Sequence, residues 1–535
     1  MSRDPNLPAN VEVFDTTLRD GAQTEGISYS LDDKIRIAEK LDELGVTFIE
    51  GGWPGSNPKD AAFFDAARNR TWRHAKIVAF GATRRANSAP ADDPSVQALV
   101  AAGTEVCCIF GKSSVMQVEE VLRTTLDENL RMIEETVAYL RAQGKRVIYD
   151  AEHFFDAFDA NPDYALQTLA AAQKGGAETL TLCDTNGGHL PGQVEATVRA
   201  VRARFPGQRI GMHTHDDTGC AVANTIAGVL AGAAHVQGTI NGYGERCGNA
   251  NLCIVVPNLE LKLGLRALPA GALARLNDVA HFVAEVANLA PNEHMAYVGR
   301  SAFAHKAGVH VSAMLRHPDA YQHIDPTKVG NEMRVVVSEL SGRANLVSKA
   351  EHFGLANLDA QTGAKVVEDI KALENEGFSF EAAEASVALL VKRRAADYVS
   401  PFSLVDYRVM VSRHDEKRFA EATIKLMVEK DEVHTAASGE GPVHAFDRAL
   451  RKALEPHFPV VKDIQLADYK VRILNGSAGT GAVTRVLIDW HAADRRWSTV
   501  GAGANILEAT WLALADGYEF GLTTVGAKHE PALSK

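Results

Sequence analysis

Cysteine is scarce in this chain, positive charge is in deficit and long apolar runs do not occur. Each absence removes a class of function. The six cysteines among 535 residues are Cys107, Cys108, Cys183, Cys220, Cys247 and Cys253, with no CxxC pair and no secreted-type spacing, so a reducing compartment is the simpler reading. Lys and Arg number 56 against 68 Asp and Glu, a net charge of −12. Such a surface repels a polyanion, and no nucleic-acid partner is expected. Nowhere do roughly 18 apolar residues run together. The polar stretch Met1–Asn10, with two prolines, lacks the apolar core of a signal peptide. A soluble, cytoplasmic protein with no membrane partner is expected.

What is present is a globular composition, 46% apolar and 23% charged, in a chain too long for one domain of about 100–250 residues. From Val11 to about Leu259 short apolar runs alternate with amphipathic stretches, the pattern of repeated βα units. Eight candidate strands begin near Val11, Phe48, Lys76, Glu105, Lys145, Thr179, Arg209 and Ala234. A closed (β/α)8 TIM barrel is their natural arrangement, with two open-sheet domains as the alternative. In the first crossover Ser30 can cap a helix, Leu31, Ile35, Ala38 and Leu41 recur on one face, and Gly45 can end it. Residues 271–400 turn mostly helical, notably Ala272–Leu289 and Ala360–Glu376, and read as linker subdomains after a catalytic domain of residues 1–270. Residues 401–535 form a third domain of α+β class. In it an internal duplication of two βββα halves carries Gly439 and Gly441 before one helix and Gly501 and Gly503 before the other. Those glycines admit either ligand backbone or tight packing.

The chemistry gathers at strand ends, where barrel enzymes keep it. The first strand runs into Asp15-Thr-Thr-Leu-Arg19-Asp20-Gly21-Ala-Gln23. The seventh ends in Met212-His213-Thr214-His215, whose two imidazoles point to one side because strand side chains alternate. Such a pair either shares a divalent ion or is buried and hydrogen-bonded, and Asp20, one strand away in a closed barrel, favours the ion. Two histidines with oxygen ligands suit Mn, Zn, Co or Mg. The fifth and sixth strands supply Tyr149-Asp150-Ala151-Glu152 and Cys183-Asp184-Thr185-Asn186. After the eighth comes Asn241-Gly242-Tyr-Gly244-Glu245-Arg246-Cys-Gly-Asn249, whose glycines Gly242 and Gly244, with Glu245 and Arg246, read as a loop that lets backbone amides approach an anionic ligand.

Leu18-Arg-Asp-Gly-Ala-Gln23, His213-x-His215 and Gly242-x-Gly-Glu-Arg-x-Gly-Asn249-Ala, in this order, resemble the acyl-transferring family of 2-isopropylmalate, homocitrate and citramalate synthases. The resemblance spans nearly the whole chain. Glu50-Gly-Gly-Trp-Pro-Gly-Ser-Asn-Pro-Lys-Asp60, Tyr149–Asp156 and Gly21-Ala-Gln23 are most similar to the citramalate branch. The resemblance implies a metal held by Asp20, His213, His215 and Asn249. It implies Arg19 on the developing oxyanion, and Gln23, Tyr149 and Thr185 around the 2-oxo acid, with Tyr149 either narrowing the pocket or packing beneath it. It also implies Glu152, His310 and Tyr321 in acid–base roles, the last two from a linker segment beginning Phe303-Ala-His305 that reaches into a barrel, its own or that of a partner subunit. The implied reaction condenses acetyl-CoA with pyruvate and releases citramalate and CoA. Isoleucine is the implied effector of the C-terminal domain, and a homodimer the implied assembly. The rival substrate is 2-oxoisovalerate, which would make the chain an isopropylmalate synthase. A rival of another class is an inactive amino-acid-binding homologue, whose mark would be a lost metal ligand.

Overall fold

The computed structural model describes residues 7–306, 308–336, 360–395, 398–414, 417–493 and 495–524. They fall into two compact units, Met1–Phe303 with Ile324–Glu332 and Ala304–His323 with Met333–Lys535. Among the described residues no helix is long and apolar enough to cross a membrane.

In the first unit eight parallel strands close into a barrel: β1 Glu12–Asp15, β2 Phe48–Gly52, β3 Lys76–Ala82, β4 Val106–Lys112, β5 Arg146–Glu152, β6 Thr179–Asp184, β7 Arg209–Thr214 and β8 His235–Gly238. Each begins within one residue of its expected start. The parallel register Glu12↔His235 through Asp15↔Gly238 removes the open-sheet alternative. The first crossover helix, Leu31–Leu44, has the expected signals: Ser30 and Asp33 form a capping box, and Gly45 ends it at φ 89°. Phe14, Phe48, Val78, Val106, Cys108 and Ile148 pack together inside the lumen. This apolar floor leaves the polar residues near the strand ends as a separate layer. Toward the N-terminal rim, Arg209 pairs with Glu12 and Glu178, and Glu178 with Arg146, so charges there are matched.

The unit boundaries differ from those that composition suggests. Helix Leu276–Val286 buries Leu276, Val279, Ala280 and Val283 in the same core as the barrel's outer helices, so a boundary at 270 falls too early. Helix Glu384–Lys392 gives Ala385, Ala388 and Leu389 to the core of the C-terminal sheets, so a boundary at 400 falls too late. In both cases an apolar stripe belongs with the layer that can bury it. Helix Ala360–Asn375 lies where expected. The remainder of the linker reading, at 337–359, falls outside the described residues.

The second unit opens with a short parallel pair, β9 Ala304–His305 and β10 Arg334–Val335. Two antiparallel sheets follow. One is β11 Phe402–His414, β12 Lys417–Val428 and β13 Asp431–Gly439, then helix Pro442–Leu454. The other is β14 Gln465–Ile473, β15 Thr484–Ala492 and β16 Arg495–Gly503, then helix Ile506–Thr524. The duplication extends to detail: the first strand of each half has a bulge at an equivalent place, between Leu404 and Asp406 and between Leu466 and Asp468. Gly439 and Gly501 are packing glycines. A Cβ on either would stand 2.4 Å from the Ala445 amide nitrogen or 2.0 Å from the Ala509 carbonyl oxygen. Gly441 caps the first helix with open space around a Cβ, and Gly503 ends β16, where a Cβ would make only ordinary contact with Asn505 at 3.9 Å.

Another close contact of the second half sets Gly517 against the fully buried Trp490, whose ring a Cβ would meet at 2.1 Å. Trp490 is fixed by its Nε1–H donating to Thr499 Oγ1 at 2.9 Å and by stacking on Trp497. Gly517→Ala would gain helix propensity of up to about 1 kcal/mol, but the overpacking cost of about 1–3 kcal/mol outweighs it. Guanidinium unfolding followed by tryptophan fluorescence should show a lowered midpoint, and an unchanged or raised one would disprove this packing argument.

Candidate active site

Barrel closure brings the ends of β1, β7 and β8 together. Thr16 to Gln23 form the turn after β1, with the Gly21 amide donating to the Thr16 carbonyl. This turn directs Asp20 inward, where it is 3% exposed. His213 Nε2 lies 3.2 Å from Asp20 Oδ2 and 3.2 Å from His215 Nε2. Asn249 Nδ2 donates to Asp20 Oδ2 at 2.9 Å. One ligand atom from each of Asp20, His213 and His215 can be chosen so that all lie within 4.8 Å of one another. His215 Nδ1 and Asn249 Oδ1 are buried without a hydrogen-bond partner. Two imidazoles, a carboxylate and an amide whose oxygen is unsatisfied make a donor set that fits a divalent cation. Turning over the Asn249 amide, whose orientation is an assignment, would present that oxygen to Asp20 and the histidines.

The electrostatics suit this use. Burial would raise the Asp20 carboxyl, but the Arg19 guanidinium and then His213 overcome it and hold the group well below the usual carboxylate range. Burial lowers His215, and the neighbouring His213 adds to that, leaving it at about 4 and neutral at pH 7. Burial also pushes His213 down, but the hydrogen bond and charge of Asp20 more than offset it and set His213 above its ordinary value.

Arg19 is a fork. Its Nε donates to Glu50 Oε2 at 2.7 Å, its Nη1 pairs with Asp20 Oδ1 at 2.9 Å, and its guanidinium carbon stands 3.8 Å over the Phe80 ring. Phe80 stacks on Phe110, and Trp53 meets both edge-on, giving the β2–β4 side of the mouth an aromatic wall. Glu152, at the end of β5, is paired with Lys112 from β4. Thr185 Oγ1 accepts the His153 amide at 2.8 Å, which leaves its proton to donate. Gln23, exposed at the rim, shares with Arg19, Trp53 and Lys59 a cavity of about 570 Å³.

Two expectations need correction. Tyr149 faces away from the lumen: its hydroxyl lies against Gly111 and its ring among the outer helices with Ile133, because strand alternation that turns Asp150 and Glu152 inward turns Tyr149 outward. The Gly242–Asn249 loop is a clasp instead of an anion cradle. The Gly242 amide donates to the Thr239 carbonyl, the Gly244 amide to Thr24 Oγ1, and Arg246 is engaged by Asp217 and the Thr185 carbonyl, with Glu245 exposed beside it. The clasp is stitched to the end of β7 by Asp216 N to Gly248 O and Ala250 N to Thr214 O, and this sets Asn249 beside the histidines. His310 and Tyr321 belong to the second unit, where their rings stack at 4.2 Å and both are exposed.

Sequence reading also passed over functional neighbours. Glu50 faces the lumen from β2 and accepts from Arg19 Nε, a role that its place in the Glu50–Asp60 motif does not show. Gln237 on β8 accepts from His213 Nδ1 at 2.7 Å; its signal was a polar residue at an inward strand position.

Cation binding requires bare imidazole nitrogens, so affinity should fall as pH falls through the His213 range and His213 takes up a proton. Calorimetric titration with Co²⁺ should show about a tenfold loss per pH unit there. His215→Ala should weaken binding by more than about 100-fold, beyond the cost of losing an outer-shell partner. A pH-independent affinity or an unaffected variant would contradict the assignment.

Known families match along the chain. The HMGL-like model covers residues 10–283, the homocitrate synthase post-HMGL domain-like model residues 297–377, and the LeuA allosteric (dimerisation) domain model residues 381–522. The (R)-citramalate synthase of Aquifex aeolicus is 52% identical over 514 residues, 95% of this chain and 97% of the relative. That of Synechocystis sp. is 52% identical over 538 residues, 98% of each chain. The 2-isopropylmalate synthase of Methanocaldococcus jannaschii is 28% identical over 515 residues, 96% of this chain and 95% of the relative. With the barrel and the histidine–aspartate cluster, these matches establish that the chain belongs to the HMGL-like acyltransferases and, among them, to the (R)-citramalate synthase family.

Proposed function

We propose that this chain condenses acetyl-CoA with pyruvate and hydrolyses the thioester, releasing citramalate and CoA. The observation that carries the reading is the convergence of Asp20, His213 and His215 at one mouth with Arg19 and Glu152. A divalent cation held by Asp20, His213, His215 and Asn249 would supply Lewis acidity at the 2-oxo acid. Thr185 donates its free hydroxyl proton to the acid's carboxylate. Arg19, anchored by Glu50 and stacked on Phe80, meets negative charge developing on the ketone oxygen. Glu152, steadied by Lys112, takes a proton from the acetyl methyl group. The resulting enolate carbon attacks the ketone carbon, the ketone oxygen takes up a proton, and water cleaves the thioester to leave carboxylate and CoA thiol. His310 and Tyr321 remain candidates for the second proton transfer, supplied by the linker segment.

The wall of Trp53, Phe80 and Phe110 favours pyruvate over 2-oxoisovalerate, since each extra methyl group changes transition-state binding by about 1–3 kcal/mol. Thiol release by the metal-supplemented protein should show higher kcat/KM with pyruvate, and Phe110→Ala should raise relative use of 2-oxoisovalerate by roughly 10–100-fold. A wild type that prefers 2-oxoisovalerate would make the chain an isopropylmalate synthase with the same site. No release with either acid would remove the enzymatic reading. In the same reading the protein is a homodimer and its C-terminal domain takes isoleucine as feedback effector. Isoleucine should lower turnover and raise the melting temperature, and an effect on neither would reject that role.

A further inference from the structure

His213 has two ring nitrogens, and only one tautomer leaves the right one bare. We infer that Gln237 and Asp150 are positioning residues that fix the His213 proton on Nδ1, so that Nε2 faces Asp20 and His215 as a lone pair. The inference deepens the cation-site reading of that cluster.

The argument starts from Asp150, on β5 and 3% exposed, whose carboxylate oxygens accept hydrogen bonds. Gln237, on β8 and 1% exposed, stands between Asp150 and His213. Its Nε2 lies 2.9 Å from Asp150 Oδ1, 3.3 Å from Thr181 Oγ1 and 3.5 Å from His235 Nε2. His235 Nδ1 faces Glu12 Oε2 at 3.3 Å. Donation from that nitrogen leaves His235 Nε2 an acceptor as well. Turning the Gln237 amide over would set its carbonyl oxygen against a carboxylate, so the NH2 end belongs on this side. Its oxygen then faces His213 Nδ1 at 2.7 Å. An amide oxygen only accepts, so Nδ1 must carry the proton. The remaining nitrogen of a neutral imidazole is bare, and it is the one that lies 3.2 Å from both Asp20 Oδ2 and His215 Nε2. Asp150 therefore decides the tautomer of a side chain it reaches only through Gln237. Three strands, β5, β8 and β7, take part, so no local motif shows the relay.

The test uses the full chain. Gln237→Met keeps the volume and removes the relay. Gln237→Glu, made together with Asp150→Asn so that no two carboxylates meet, restores an acceptor for His213 Nδ1, and Asp150→Asn alone lets the Gln237 amide take either orientation. Nitrogen-15 spectra of the cation-free protein at alkaline pH should show His213 protonated on Nδ1 in the wild type and in Gln237→Glu. In Gln237→Met the proton should move at least partly to Nε2. Calorimetric Co²⁺ affinity should drop about 10–100-fold in Gln237→Met, less in Asp150→Asn, and recover in Gln237→Glu. A Gln237→Met protein that keeps the Nδ1 proton and wild-type affinity would overturn the inference. So would a Gln237→Glu protein as weak as Gln237→Met, which would mark a packing role alone. Should Gln237→Met fail to fold, Asp150→Asn decides: weakened affinity supports the relay and unchanged affinity overturns it. A wild type that binds no Co²⁺ would instead reject the cation site, with the tautomer still decided by the spectra.

Discussion

The parallel ladder between β1 and β8 closes the barrel, and the functional site depends on that closure. Asp20 follows the first strand, His213 and His215 end the seventh, and Asn249 follows the eighth, so more than 190 residues separate the carboxylate from the nearest histidine in sequence. Only a closed sheet makes these strand ends neighbours. The register Asp15↔Gly238 and His213↔Gln237 then sets the height of each group, since a slip of one residue would turn His213 out of the lumen. The loop after β8 completes the arrangement through an isolated bridge just beyond β7, His215↔Asn249. Its glycines serve this close fit: Gly248 has φ 97°, and a Cβ there would stand 2.0 Å from the Gly242 carbonyl oxygen.

Within this frame charge is placed by linked pairs. Burial of Asp20 is tolerable because Arg19 accompanies it, and burial of Arg19 because Glu50 takes its other side. Burial pushes the Glu50 carboxyl up, and Arg19 opposes that. Removing one partner of such a buried set typically costs about 3–5 kcal/mol, more than the set contributes over a well-packed apolar substitute. Fold stability alone does not explain it. Its use is positional: a planar guanidinium held by two carboxylates and a ring face is already oriented before substrate arrives, which a lysine point charge would not be.

The strand starts were legible because apolar runs bounded by turn residues mark a buried parallel strand whatever its neighbours, and His213-x-His215 because alternation is local. The misplacement of Tyr149 was avoidable by the same rule. Residues 149 and 152 are an odd number apart, so a strand that directs Glu152 inward directs Tyr149 outward. The loop from Gly242 to Asn249 misled for another reason. Glycine-rich composition reports that backbone comes close to something, and here the partners are Thr239, Thr24 and the end of β7 instead of a ligand. Gln237 and Asp150 had no readable signal beyond inward polarity, since their meaning lies in a contact 87 residues apart. The domain limits were misjudged because an amphipathic helix shows in sequence that it has an apolar face but not which layer covers it.

The C-terminal duplication shows the same dependence on a shared interior. Each βββα half exposes one sheet face to its helix, yet a piece of about 60 residues buries too little surface to be secure alone. The two halves instead form one apolar cluster, in which Phe446 of the first helix packs against Trp511 of the second at 5.7 Å. Tyr518 of the second helix donates to Asp447 of the first, and Tyr407 of the first sheet to Glu508 of the second helix. Helix Glu384–Lys392 enters the same core, and Arg393 just beyond it pairs with Asp516 and Glu519. The buried Glu519 also accepts from Tyr398. A displacement of the second helix would therefore disturb the first half, the second half and the chain leading into them together. This makes the interior of the domain respond as one body, because packed interiors shift between discrete arrangements instead of deforming continuously.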